Sequence, residues 1–107
     1  MKLEIRWRDV TPSAQLLAYV KEAIAAWARP HPWTPVRLRV SLLNEASGGE
    51  PWSRCRIEVG LRGGVVRVIE AASSDLLLAI DVAVDRLSTV VAVPAQRSRH
   101  AHERRAA

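Results

Sequence analysis

At 107 residues, nearly half apolar and one-quarter charged, the chain has room for one domain with a single core and lacks the composition of a disordered tail. Its formal charge of +5 is uneven, because residues 95–107 hold Arg97, Arg99, Arg104 and Arg105 against Glu103 and so carry +3 of it. Cys55 is alone, which excludes an internal disulfide and a thiolate cage for zinc, and apolar runs such as Leu76–Ile80 are far too short to span a bilayer.

From the N-terminus, Leu3, Ile5 and Trp7 alternate with Lys2, Glu4, Arg6 and Arg8, the period-two pattern of a half-buried strand. Thr11-Pro12 then offers an N-cap and a proline at the first helical position, where a missing N–H costs nothing. In the helix predicted from there, Leu16, Val20, Ile24 and Trp27 form one stripe with Ala23 beside them. Pro30, Pro32 and Pro35 forbid its continuation and make the link through His31 and Trp33 stiff and extended. Val36, Leu38, Val40 and Leu42 resume the alternation against Arg37, Arg39 and Ser41. After the turn-rich stretch from Asn44 to Pro51, Cys55, Ile57, Val59 and Leu61 face in, opposite Arg54, Arg56, Glu58 and Arg62. Two antiparallel strands joined by a loop of moderate length are expected.

Gly63-Gly64 supplies a turn of positive φ, and a fourth strand is expected over about residues 65–71, with Arg67 outward. Ser73 or Ser74 is the expected cap of a last helix, with Asp75 in its first turn. Leu77, Ile80, Val84, Leu87 and Val91 form its core stripe, and Pro94 ends it. The sum is an α+β domain of order β-α-β-β-β-α, a two-layer sandwich with a four-stranded sheet and two helices on one face. No repeat or linker interrupts it, so residues 1–94 are expected to form one domain and 95–107 a flexible basic tail. Charges within Met1–Arg6 stand where a secretory signal needs an apolar run, and a cytoplasmic protein is expected.

Several words carry a resemblance: Asp9-Val10-Thr11-Pro12 at the entry of helix one, Tyr19-Val20 within it, and Ser74-Asp75 leading to Ala79-Ile80-Asp81 and Asp85-Arg86-Leu87. In this order and spacing the chain resembles the hibernation-promoting factor and ribosome-associated inhibitor family over roughly residues 1–92. The resemblance implies the same fold, no catalysis, and a place on the small ribosomal subunit where mRNA and tRNA would otherwise lie, so that translation is blocked sterically. It also implies the short form, without the C-terminal dimerisation domain of long members. Where such proteins carry lysine- and arginine-rich helices, this chain has Glu22, Ala23 and Ala26 in helix one and Val90-Val91-Ala92-Val93-Pro94 in helix two. Only Lys21, Arg29 and Arg86 keep charge near those places.

The residues themselves point to a polyanion at the sheet. If strands one to three are neighbours, Lys2, Arg6, Arg8, Arg37, Arg39, Arg54 and Arg56 share the face turned from the helices, opposed by Glu4 and Glu58. Arginine suits phosphate because its planar fork bonds two oxygens at once, and several such groups attract polyanions. The expected nucleic-acid-binding set is Arg6, Arg37, Arg39, Arg54 and Arg56, extended by Arg29 and Arg86 on the helices and by Arg97 and Arg99 in the tail. Keeping a sheet face soluble is the plainer role of the same charges.

Trp7 and Trp27 occupy inward positions, whereas Trp33 and Trp52 lie in or beside loops, placed to stack on a base or to close the core's edge. Asp81 and Asp85 are one helical turn apart, but nothing completes a catalytic site around them. His100 and His102 lack further fixed donors for a metal. No enzyme activity, cofactor, metal or small-molecule substrate is expected, and the expected partner is small-subunit rRNA. The alternative is a protein-interaction or dimerisation module that pairs through its sheet face or an edge strand.

Overall fold

The computed structural model describes residues 1–30, 35–47 and 49–91. Its elements are β1 (Lys2–Arg8), α1 (Ala14–Ala28), β2 (Arg37–Ser47), β3 (Glu50–Gly60), β4 (Val66–Ser73) and α2 (Leu76–Val91), with a 3-10 turn at Arg62–Gly64. The strands lie in the order β1-β2-β3-β4, with β1 and β2 parallel and the other neighbours antiparallel. A parallel pair needs a long crossover, which α1 supplies, whereas β2 to β4 are joined by hairpins. The expected β-α-β-β-β-α order and the four-stranded sheet with two helices are therefore the observed ones.

Leu38, Val40 and Leu42 of β2 and Cys55, Ile57 and Val59 of β3 are at most 1 % exposed, as central strands covered on one face must be. Val20, Ile24 and Trp27 of α1 and Ala79, Ile80, Ala83, Val84 and Leu87 of α2 close the same core. Both helices thus cover one side of the sheet, and strand residues of opposite parity are left on an open face.

The helix starts differ from the sequence signals. Pro12 turns Thr11 away from helical geometry, and Ser13 is the N-cap of α1: extended at φ −141° and ψ 149°, it accepts the Leu16 N–H at 3.0 Å. At α2 the cap is Asp75, whose carboxylate accepts the Leu77 N–H at 3.0 Å, while Ser73 Oγ accepts the Asp75 N–H at 3.1 Å. An aspartate here serves both the orphan donors and the helix dipole. Asp75→Ala is expected to cost about 1 kcal/mol, read as a lower midpoint in urea denaturation. With the cap at Asp75, half-buried Leu76 extends the stripe through Ile80, Ala83 and Leu87, and Leu77 is left 42 % exposed.

The stretch from Asn44 to Pro51 is mostly strand. β2 and β3 run on through it, pairing Asn44 with Ser53, Glu45 with Trp52, Ala46 with Pro51 and Ser47 with Glu50. Gly49 takes the positive φ of the reversal at +83°; Gly48 lies outside the described residues. Pro51 is tolerated because the β4 ladder begins only at Ser53, so its missing N–H removes no bond to β4. Asn44 acts as a tie, its amide donating to the Asp9 carbonyl at 3.2 Å and its oxygen accepting from Ser53 Oγ at 2.9 Å.

Gly63 and Gly64 do adopt positive φ, +84° and +79°, and the loop is closed by the Leu61 N–H donating to the Val65 carbonyl at 2.8 Å. In β4 the buried residues are Ile69 and Ala71. Arg67 pairs with buried Val59 and so lies on the helix-side face, where it stays exposed; its expected outward placement is corrected by the register. Val66 and Val68 take the open face instead, 55 % and 48 % exposed. The link through His31 and Trp33, Pro94 and the expected tail 95–107 lie outside the described residues, as does the side chain of Val91.

Candidate nucleic-acid interface

Alternation and register array the open face in rows about 7 Å apart, two residues per step. The first row is Lys2, Arg37, Gly60 and Val66. Next come Glu4, Arg39, Glu58 and Val68, then Arg6, Ser41, Arg56 and Glu70. Arg8, Leu43, Arg54 and Ala72 form the fourth, and Glu45 and Trp52 follow on the β2–β3 arm. The five sheet arginines of the expected set, Arg6, Arg37, Arg39, Arg54 and Arg56, do share this face. Ser41 between Arg6 and Arg56 is buried, which fits coverage by the stems of its long neighbours.

Glutamates divide these cations into two kinds. Arg39 lies between Glu4 and Glu58, Nε to Glu4 Oε2 at 2.9 Å and Nη1 to Glu58 Oε2 at 3.3 Å. The hydrogen bond from Arg39 holds the Glu4 carboxyl below the usual carboxylate range. Arg54 is held by Glu45 and Glu70, each at 3.4 Å. Arg6 and Arg56 sit further off, 3.8 Å from Glu4 and Glu70, whose carboxylates meet other arginines more closely. Lys2, Arg8 and Arg37 make no ion pair among the described residues. Exposed pairs of this kind contribute about 0–1 kcal/mol each, so the network orients side chains more than it stabilises the fold.

The cationic face is thus a pattern of partnered and unpartnered positions. At one end Lys2, Arg37 and Arg62 rim a shallow bay floored by Gly60 and the Gly63-Gly64 turn. At the other end stands Arg8, in the row of Arg54. The sequence reading missed Glu45 and Glu70 as opposing charges. Glu45 shares the parity of Arg37 and Arg39, a signal hidden by reading its segment as a loop. Glu70 became legible only once Ile69 fixed the alternation of β4.

Two expected site residues lie off this face. Arg29 is the exposed C-cap residue of α1, on the helical layer. Arg86 of α2 donates Nη1 to the Glu70 carbonyl of edge strand β4 at 2.7 Å. A charged side chain on an unpaired edge carbonyl blunts that edge. Arg97 and Arg99 lie outside the described residues.

The acid and thiol candidates have structural partners. Tyr19 Oη donates to Asp81 at 2.7 Å to Oδ1 and 2.9 Å to Oδ2, tying α1 to α2 and raising the Tyr19 pKa. Trp27 Nε1 makes a second tie, donating to Ser88 Oγ at 3.1 Å. Cys55 is fully buried, and desolvation pushes its thiol up to about 12, which leaves it an inert core residue. Among the described residues no group of His, Cys, Asp and Glu is arranged to hold a metal, and no helix is long and apolar enough to cross a membrane.

A family model described as sigma 54 modulation protein / S30EA ribosomal protein matches residues 3–97. The chain belongs to this family. The N-terminal domain of Protein Y from Thermus thermophilus superposes with a TM-score of 0.62 at 29% identity, over 83% of this chain and 93% of that one. A ribosomal subunit interface protein from Coxiella burnetii superposes with a TM-score of 0.67 at 14% identity, over 85% and 93% of the two chains, a likeness of fold. No curated protein sequence matches. The likeness carried by the Asp9–Pro12 and Ser74–Leu87 words therefore holds at the level of the family. Its description names a ribosomal protein and a modulator, neither of them an enzyme class.

Proposed function

We propose that this protein is a ribosome-associated hibernation factor that lays the open face of its sheet on small-subunit rRNA and inhibits translation by occupying space that mRNA and tRNA need. One observation carries the orientation: Arg8 and Arg37 stand on one face of a family member with no carboxylate partner among the described residues, and Lys2 beside Arg37 makes no ion pair there. Such cations give up no protein contact when they meet a phosphate. Arg39 and Arg54 would each have to share theirs with two glutamates. The helical layer supports the same orientation, since the exposed cations there, Lys21, Arg29, Arg67 and Arg86, are equalled in number by the acids Glu22, Asp75, Asp81 and Asp85 and leave a polyanion no surplus. Arg6 and Arg56 complete the proposed contacts. Arg97 and Arg99, in a basic tail following a single domain, add long-range attraction. The cytoplasm is the compartment this role requires, and the reading needs no cofactor or small-molecule substrate.

Co-sedimentation with purified small subunits over a salt series tests it. Recovery with the subunit is expected at low salt, with log K falling against log salt by about 0.7 for each single-strand phosphate neutralised. Absence from the small-subunit fraction at the lowest salt removes the proposal.

A second reading rests on Val66 and Val68, apolar and half-exposed on edge strand β4, a setting that fits pairing between copies. Light scattering decides it, and a monomer at every concentration would leave that edge without a partner copy.

A further inference from the structure

Trp52 is the exposed tryptophan among the described residues: it is 40 % exposed, whereas Trp7 is packed against the core and Trp27 is buried. It stands on the open face one row beyond Arg8 and Arg54, opposite Glu45 on β2. Together Glu45, Trp52, Ser53, Arg54 and Ala72 line a concavity of about 230 Å³. The geometry points to this bay as a subsite for one unpaired nucleobase bearing an exocyclic amine, with Trp52 as its stacking platform. The inference rests on the reading of the open face as an RNA-binding surface.

Three features of the bay agree on a base rather than a phosphate. An indole face is sequence-tolerant and stacks on any base, which is how single strands are held on sheet surfaces. Glu45 repels phosphate but accepts from an amino group, as carboxylates do from cytosine N4. Glu45 Oε1 lies 3.4 Å from Arg54 Nε in an ion pair that makes no hydrogen bond, so the carboxylate sits at the bay and keeps its acceptor capacity for an incoming donor. The phosphates flanking such a base would fall toward Arg8, the cation in the adjacent row without a carboxylate partner. A solvated cross-strand Trp–Glu pair needs no concavity between the two strands and Ala72.

The test uses the full chain and short oligoribonucleotides of cytidine, of uridine, and of abasic ribose-phosphate of equal length. Trp52→Ala is expected to weaken cytidine binding about tenfold or more and to remove most of the tryptophan fluorescence quenching, with Trp52→Phe recovering most of the affinity. The abasic strand is expected to bind wild type and Trp52→Ala alike. Glu45→Gln is expected to reduce the preference for cytidine over uridine. If Trp52→Ala binds cytidine strands like wild type, while Arg8→Glu with Arg37→Glu loses them, the subsite is wrong and the RNA-binding face stands. If wild type binds neither the strands nor the small subunit, both readings fall.

Discussion

Replacing Arg8 and Arg37 together by glutamate is expected to abolish co-sedimentation with the small subunit without moving the midpoint of unfolding. Both side chains are exposed and neither holds an ion pair among the described residues, so the fold loses no ion pair when they change. A hydrogen bond to a charged group is typically worth about 1.5–3 kcal/mol, so each reversal is expected to weaken binding about tenfold or more. The salt dependence should also become shallower, by about 0.7 of log–log slope for each single-strand phosphate contact removed.

Arg39→Gln is the informative contrast. Because Glu4 and Glu58 already occupy that guanidinium, its loss should leave the salt slope nearly unchanged and alter the acid limb of stability instead. Glu4 titrates below the usual carboxylate range in the folded protein, so its contribution is present at neutral pH and is lost as pH falls through that lowered value. In Arg39→Gln this component shrinks to what Arg6 and Lys2 still contribute, and stability between the ordinary and the lowered carboxylate values should vary less with pH. Equal loss of subunit binding from Arg39→Gln and from the double reversal would show that the partnered cations act as contacts too.

Leu38→Ala is expected to be the most destabilising of the single changes considered. Leu38 is fully buried on β2, a central strand, with Leu3 of β1 and Val59 of β3 as its neighbours in register. Truncation at such a site costs about 2–5 kcal/mol, from lost transfer free energy and from the cavity left behind. Domains of this kind carry only about 5–15 kcal/mol in total. Urea denaturation should therefore show a much lower midpoint with an unchanged slope. Val66→Ala on the exposed edge serves as the control and should stay within about 0.5 kcal/mol. Similar midpoints for the two variants would mean that Leu38 is not where the core is packed.

Much of the fold was legible because strand and helix periods differ. Leu3-Ile5-Trp7 and Leu38-Val40-Leu42 alternate, while Val20-Ile24-Trp27 follows the helical repeat, and the proline-rich link and Gly63-Gly64 punctuate them. Misreadings arose where composition competed with pairing. Asn44, Ser47 and Pro51 have turn chemistry, but cross-strand partners hold them in a ladder. Val66 and Val68 have the composition of core residues, which favours an outward Arg67. At an edge strand the register to β3, and not hydrophobicity, decides the face.

By itself the sequence determined which residues could be buried together, the order of elements and the set of arginines whose parity faces away from the helices, since these follow from local periodicity. Only the tertiary structure decided which of those arginines are free. Glu45 and Glu70 reach Arg54, and Glu4 and Glu58 reach Arg39, through strand neighbours that are distant in the chain. A charge's availability depends on what stands within a few ångströms of it, and that is a property of register, which a single strand cannot carry in its own residues.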